Sequence, residues 1–173
     1  ALVQVTKMGM MFILDRRTGK SVFGVEERPV PQSFIPGEQA ARTQPFPIKP
    51  PPLVSLGVKR SDLSTVTPES NRGCLDLWDR EGMTDSEMYT PTKLWGATVY
   101  RPSNGAASGG TYGGVSYSPE LGYIFVNTRN SIGWHKVAQD GKGGIRIDGA
   151  YRGMSDPGTG LSCANPPWSE LVA

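Results

Sequence analysis

The stretch that decides the fold reads Met10-Met11-Phe12-Ile13-Leu14-Asp15-Arg16-Arg17-Thr18-Gly19-Lys20-Ser21-Val22-Phe23. A short apolar run is followed by a polar turn ending in Gly-Lys, and the apolar pattern then restarts at residue 21. The same design recurs where residues 115–117 lead into Ser118-Pro119-Glu120-Leu121-Gly122 and then into residues 123–127. Proline at the second position and glycine at the end suit a type I turn closed by a residue with positive φ. We therefore predict strand-turn-strand units at residues 1–23 and 115–127.

Composition excludes several function classes. The 173 residues include 22 glycines and 15 prolines, which argue against a mainly helical protein. The 18 basic and 16 acidic residues give a net charge of +2 and form no basic run, so nucleic acid is not an expected partner. The single histidine, His135, leaves little material for a histidine metal site or a Ser/His/Asp triad, and we expect it on the surface or in a loop. Whether Cys74 and Cys163 form a disulfide stays open.

Residues 28–52 are rich in proline and end in Pro50-Pro51-Pro52. Because proline lacks a backbone N–H, this stretch cannot be a central strand and is expected to run extended. A helix is predicted next, with Thr67 as its N-cap and Pro68 as its first residue, running to about Asp79. Further strands are predicted at residues 144–148 and from Glu170. Short strands, long loops and turns closed by glycine together favour all-β repeats of the propeller kind.

Both termini are expected to be cuts in a longer chain. The sequence opens with Ala1-Leu2-Val3 and stops at Ala173, inside a predicted strand. Natural domains seldom end within an apolar strand, because its ladder partners are then left unmatched. An isolated chain with uncovered sheet edges is therefore expected to self-associate.

Several segments resemble the quinoprotein dehydrogenases, enzymes that depend on pyrroloquinoline quinone. One is a strand-turn signature, and another is similar to the proline-rich insertion of the membrane-bound glucose and quinate branch. The matching segments follow the order of the family: Thr6-Lys7-Met8-Gly9 through Lys20, Glu26 through Ser33, Pro36-Gly37-Glu38, Thr43 through Pro47, Lys49 through Pro52, Gly113 through Gly122, and Pro166-Pro167-Trp168.

The resemblance implies an all-β fold, an eight-bladed propeller of four-stranded antiparallel sheets. This chain would be an internal fragment of that one domain, about two blades with a long Pro-rich insertion and a short helix. Residues 1–23 would form a blade hairpin, residues 24–97 the insertion, and residues 98–173 further blade strands and loops. The remaining blades of the same propeller would then be its partners.

The resemblance also implies an activity, a cofactor and a location. Relatives oxidise a hydroxyl group of a sugar or polyol with pyrroloquinoline quinone and Ca²⁺, and they pass the electrons to ubiquinone. We expect a periplasmic parent protein, which in this branch can be anchored to the inner membrane, and an isolated fragment that is inactive. The catalytic aspartate and the Ca²⁺ ligands would lie outside this chain.

Four residues are candidate cofactor contacts by resemblance. Lys7 stands where the family carries a Lys or Arg beside the quinone carbonyls, and a cation there would stabilise the charge that arrives on reduction. Thr111 and Tyr112 stand where relatives often have Asn-Trp or Ser-Trp, although this segment could simply be a glycine-rich corner. Trp168 could lie beside the cofactor or pack between blades. For Lys7, the alternative is an ordinary solvated lysine.

Two acidic features have ordinary explanations. Asp15 is expected to accept hydrogen bonds from the amides that follow it in its turn, and it is not the catalytic base of the family. Glu26 and Glu27 point to opposite sides of a strand and cannot share a site, and Arg28 can compensate their charge. The alternative function is a non-catalytic propeller scaffold, against which Lys7 and the insertion argue. The sequence does not discriminate between glucose, other aldoses, quinate, shikimate and polyols as substrates.

Overall fold

The computed structural model describes residues 1–101, 115–139, 141 and 144–173. In these ranges the chain forms one 3-10 helix, Arg60–Asp62, one α-helix, α1, at Pro68–Arg80, and short β-strands. The strands are β1 Leu2–Val5, β2 Met11–Leu14, β3 Val25–Pro29, β4 Thr43–Pro47, β5 Ala97–Tyr100, β6 Ser116–Ser118, β7 Tyr123–Arg129, β8 Gly133–Gln139, β9 Ile145–Gly153 and β10 Ser169–Val172.

The strands of this described part pair into four small sheets. Two are two-stranded, β1-β2 and β3-β4, and two are three-stranded, β10-β7-β6 and β5-β8-β9. Every pairing is antiparallel. The prediction of a mostly β chain with small antiparallel sheets and one helix is confirmed.

In the first predicted strand-turn-strand unit, β2 pairs with β1 and not with residues 21–23. β2 pairs along its whole length with β1, from Val5 opposite Met11 to Leu2 opposite Leu14. The second apolar run, residues 21–23, contributes only an isolated bridge between Ser21 and Leu14. Gly24 then adopts a φ of +86° and redirects the chain into β3, which ends the pairing.

The second predicted hairpin forms as expected. Ser116 lies opposite Phe125 and Ser118 opposite Tyr123 in the β6-β7 pair. Gly122 closes the turn with a φ of +68°, and its amide donates to the Ser118 carbonyl over 2.9 Å. The strands predicted at residues 144–148 and from Glu170 correspond to β9 and β10.

The prolines of the β3-β4 pair fit into it because all of them stand at odd-numbered positions. Amides at even positions pair across the ribbon: Val30 N donates to Arg42 O, and Ile48 N donates to Gly24 O. Pro29, Pro45 and Pro47 all stand at odd positions, where the missing N–H would point away from the partner strand. The proline-rich stretch is thus extended, as predicted. The part of it that pairs forms a two-stranded ribbon and no central strand.

The β1-β2 hairpin packs against apolar residues on both faces, because alternate residues belong to two different clusters. Val5 and Met11 pack with Val126 of β7 in one cluster. Met10 packs on the opposite face with Phe46 of β4 and Met88. The sheet therefore lies between the β10-β7-β6 sheet and the proline-rich insertion.

The largest core surrounds α1. Thr67 caps the helix by accepting a hydrogen bond from Ser70 N over 3.1 Å, as predicted, and Pro68 is the first helical residue. Leu77 and Trp78 of the helix are buried in a cluster that also holds Cys74 and Cys163. Cys74 and Cys163 form a disulfide, which resolves the open question of their pairing and links α1 to the segment before β10.

Candidate cofactor site

Lys7 lies in a tight turn between β1 and β2. Thr6 makes three hydrogen bonds to the backbone of Met10, over 2.9–3.2 Å, through its own N–H and its hydroxyl. Gly9 closes the turn with a φ of +73°, and its amide donates to Thr6 O over 3.0 Å. The side chain of Lys7 is exposed. The local sequence thus fixes the backbone on both sides of Lys7.

The residue that follows the three prolines reinforces this turn. Leu53, which directly follows the three prolines, donates from its amide to Gly9 O over 2.7 Å. The Leu53 side chain packs against the cluster formed by Val5, Met11 and Val126. The position of the Lys7 turn is therefore fixed both by its own hairpin and by the residue that follows the three prolines.

Trp168 lies in a different loop, directly before β10. Its indole Nε1 donates to Ala164 O over 2.8 Å, and its carbonyl accepts from Asn130 N over 2.9 Å. The side chain is 44% exposed, so one part of the ring has no cover within the described residues. The bond to Ala164 fixes the ring orientation and leaves surface for a planar partner, whether a cofactor or a neighbouring sheet.

Thr111 and Tyr112 lie outside the described residues. The last residue described before that segment is Arg101. Its Nε lies 2.8 Å from Asn130 Oδ1, and one of its terminal nitrogens also contacts that oxygen. Asn130 in turn donates from Nδ2 to Pro167 O over 3.2 Å. This network joins the residue that follows β5 to the loop that carries Trp168.

Sequence reasoning missed Arg101 and Asn130. Burial lowers the pKa of the Arg101 guanidinium, and the negative charge of Asp62 opposes that shift. A half-buried arginine held by a neutral amide is unusual, but no local motif signals it, because the two residues meet only through the pairing of distant strands.

The prediction for His135 is wrong. The residue lies in β8, opposite Thr98 of β5, and is half-buried rather than in a loop or at the surface. Its Nε2 is 3.0 Å from Thr92 Oγ1, and its ring centroid is 5.4 Å from that of Tyr100. Burial lowers its pKa, which favours the neutral ring. Residues 133–139 show no alternation of apolar and polar side chains that would have indicated this strand.

The two acidic features have the explanations given above. Asp15 Oδ1 accepts from Arg17 N over 2.8 Å and from Thr18 N over 3.2 Å. These bonds, led by the Arg17 amide, lower its pKa. Glu26 forms an ion pair with Arg28, whose guanidinium lies 4.9 Å from the ring centroid of Phe46. Neither carboxylate lies in a site for acid-base chemistry.

Within residues 1–101, 115–139, 141 and 144–173, no group of three or more His, Cys, Asp or Glu side chains could hold a metal ion. Neither helix of this part of the chain is long and apolar enough to cross a bilayer.

Comparisons with known proteins agree on one family. Over residues 1–173 the chain matches the family described as PQQ, glucose/ethanol/alcohol dehydrogenase, beta-propeller domain. It is 30% identical to the glycerol dehydrogenase large subunit of Gluconobacter thailandicus, an alignment that covers 100% of this chain and 27% of that protein. It is 27% identical to the quinate/shikimate dehydrogenase (quinone) of Acinetobacter baylyi, over 100% of this chain and 23% of that protein.

A third relative is the quinoprotein glucose dehydrogenase of Gluconobacter oxydans, 28% identical over 73% of this chain and 15% of that protein. The chain thus spans at most about a quarter of the length of these curated relatives. No solved structure matches it.

Proposed function

Because this chain belongs to the β-propeller family of the PQQ-dependent glucose/ethanol/alcohol dehydrogenases, we propose that it forms part of a quinoprotein dehydrogenase that oxidises a hydroxyl group of a sugar or polyol. The observation that carries the proposal is the family match over every residue from 1 to 173. The names of the relatives, glycerol, quinate/shikimate and glucose dehydrogenase, support a polyhydroxylated substrate without selecting one.

The chain would supply about two blades of an eight-bladed ring, residues 1–23 and 98–173, with residues 24–97 as the insertion between them. The stacking of two sheets through Val5, Met11 and Val126 supports this division, because neighbouring propeller blades pack face to face. The rest of the ring would come from the longer protein. The isolated fragment would be inactive and would self-associate through its uncovered edges.

Lys7 is the residue of this chain that we place in the chemistry. When bound, pyrroloquinoline quinone supplies the two-electron acceptor. Lys7 Nζ would donate a hydrogen bond to a quinone oxygen, where its positive charge stabilises the negative charge that the electrons bring. The rigid Thr6–Gly9 turn supports this role, because a charge held in place before the reaction needs no reorganisation during it.

Thr111, Tyr112 and Trp168 are the proposed further contacts to the cofactor. Trp168 fits a planar ligand, since its ring is fixed at Nε1 by Ala164 and remains 44% exposed. The proton acceptor for the substrate hydroxyl and the ligands of Ca²⁺ would lie in the remainder of the protein. Ubiquinone would be the electron acceptor, and the periplasm the compartment. The Cys74–Cys163 disulfide supports an oxidising compartment.

The test uses the full-length protein loaded with PQQ and compares Lys7→Ala, Lys7→Arg and Lys20→Ala. Removing one fixed donor to developing charge is expected to lower kcat about 100-fold for Lys7→Ala. Arginine keeps the charge and should restore most of the turnover. Lys20 is an exposed lysine in the next turn and is the matched control, which should behave as wild type.

Thermal unfolding of each variant separates lost chemistry from lost folding. An unchanged Tm with reduced kcat supports the role of Lys7. Wild-type turnover in Lys7→Ala would remove the lysine from the mechanism.

A further inference from the structure

A groove of about 570 Å³ lies between the proline-rich insertion and the segment that precedes β5. One wall comes from residues 31–35 and the other from residues 84–95, and we call it the insertion groove. We propose that the insertion groove binds a neutral saccharide ring, which stacks on Trp95 and hydrogen-bonds to Asp85, Glu87 and Lys93. This goes beyond the proposed oxidation chemistry and does not depend on it.

Two aromatic rings line the groove and are left almost bare. The side chain of Trp95 is 84% exposed and that of Phe34 is 98% exposed, whereas Trp78, nearby in sequence, is only 2% exposed. Exposed rings of this size cost free energy unless something covers them. One face of a sugar ring carries C–H groups that pack on an aromatic face, and its hydroxyl groups point outward to polar partners.

The polar groups that such a ring needs are present and partly unused. Asp85 accepts a hydrogen bond from Arg60 N at Oδ1 over 2.9 Å, which fixes the carboxylate and leaves Oδ2 available. The amide of Glu87 donates to Thr90 Oγ1 over 2.8 Å, and its carboxylate forms no ion pair within the described part of the chain. These two residues supply acceptors to the lining of the groove.

Lys93 supplies the complementary donor. Its backbone is held by a hydrogen bond from Lys93 N to Thr98 Oγ1 over 2.8 Å, and its side chain is half-buried. Burial lowers its pKa, because the charged form loses contact with water. No ion pair of Lys93 with a carboxylate is found in the described ranges. A half-buried cation without a counter-ion is costly, and a hydroxyl group that accepts from it would replace the water it has lost.

The charge pattern selects the class of ligand. A wholly apolar ligand would cover Asp85, Glu87 and Lys93 without satisfying them. Because the lining holds acceptors in Asp85 and Glu87 and a donor in Lys93, a ligand with donors alone or acceptors alone cannot pair with all three. A hydroxyl group both donates and accepts, so a neutral polyhydroxylated ring can donate to the two carboxylates and accept from Lys93.

The walls are held in shape before any ligand arrives. Gln32 Nε2 donates to Val30 O over 2.9 Å and to Ala41 O over 3.0 Å, which closes the loop that carries Phe34. On the other wall, the Tyr89 ring meets that of Phe46 edge to face at 5.9 Å. A groove that is formed in advance binds with a smaller entropic cost.

The experiment is hydroxyl-radical footprinting of the full-length protein, read by mass spectrometry at Trp95 and Phe34, with D-glucose and maltose as probes. No electron acceptor is added, so the sugar is not consumed. Tyr117 is 63% exposed and does not line the groove, and its oxidation serves as the internal standard against radical scavenging by the sugar. We expect Trp95 to be oxidised readily without sugar and to be protected, relative to Tyr117, as the sugar concentration rises.

Matched variants test the assignment. Trp95→Ala should raise about tenfold the sugar concentration that half-protects Phe34 from oxidation. Tyr117→Ala should leave that concentration unchanged. Two results would overturn the proposal: protection of Trp95 without sugar, which means that other polypeptide fills the groove, or oxidation of Trp95 that sugar does not alter. Neither result bears on the role of Lys7, which is judged by turnover.

Discussion

Gly73 and Asp156 approach so closely that a β-carbon on residue 73 would lie 1.7 Å from Asp156 Oδ1. Gly73 is in the middle of α1, and Asp156 belongs to the loop after β9, so the contact sets how the helix lies on the second half of the chain. Asp156 is only 4% exposed and cannot easily move aside, because Gly158 N, Thr159 N and Thr159 Oγ1 all donate to its carboxylate. A glycine within a helix, normally unfavourable, is required here for space.

We therefore expect Gly73→Ala to destabilise the protein, although alanine is the better helix former by about 1 kcal/mol. Overpacking against a fixed side chain costs about 1–3 kcal/mol and should outweigh that gain. Thermal unfolding of the full-length protein would show a lowered Tm. Gly153→Ala is the control, since a β-carbon there meets nothing within 4 Å and the substitution should have little effect. A raised Tm for Gly73→Ala would contradict the close approach.

The Asp156 carboxylate should make stability depend on pH in the acid range. The Thr159 hydroxyl, then the amides of Gly158 and Thr159, lower its pKa. Because the pKa in the folded state lies below that of the unfolded chain, the stabilisation is present above about pH 4 and is lost as the pH falls through the lowered value.

The variant Asp156→Asn should therefore lower Tm at pH 7. The difference from wild type should narrow at pH 3, because the unfolded chain binds a proton at Asp156 there and the charge contributes less to stability. Asp76→Asn, on the exposed side of α1, is the control and should leave Tm nearly unchanged at both values. A difference between wild type and Asp156→Asn that stays constant with pH would show that hydrogen bonding, and not the charge, is what the fold uses.

The Cys74–Cys163 disulfide should stabilise the fold considerably. It joins residues 89 positions apart, and both cysteines are fully buried in the core around α1. Closing a loop of that length in the unfolded chain is worth about 2–5 kcal/mol. The double variant Cys74→Ala/Cys163→Ala should unfold at a lower temperature, as should wild type that is unfolded and refolded in dithiothreitol.

Dithiothreitol added to the double variant is the control for this experiment and should change nothing further. Because the sulfurs are buried, brief treatment of the folded wild type should leave the bond intact. Equal Tm values for wild type and the double variant would show that the bond contributes no stability.

Features set by neighbouring residues could be predicted from the sequence. The start of α1 follows from Thr67 and Pro68, and the turn at residues 118–122 follows from its proline and glycine, because each depends on hydrogen bonds within a few residues. The Asp15 turn was predictable for the same reason.

Features that join distant segments could not be predicted. The pairing of Leu171 with Asn127 and the bonds from Arg101 to Asn130 arise only when separate strands meet. His135 was misplaced because its strand was not recognised, and β2 took β1 as its partner rather than residues 21–23. At the candidate cofactor site, the role of Lys7 stays a prediction from resemblance, and no local pattern indicated the hydrogen bond from Leu53 N to Gly9 O.

The hydrogen bond from Leu53 to Gly9 also constrains the length of the proline-rich segment. Because Leu53 N donates a hydrogen bond to Gly9 O, the end of the proline run and the turn that carries Lys7 are held next to each other. A deletion between Pro47 and Leu53 would therefore displace that turn. The distance from the end of β4 to Gly9 thus sets how many residues the chain needs between them.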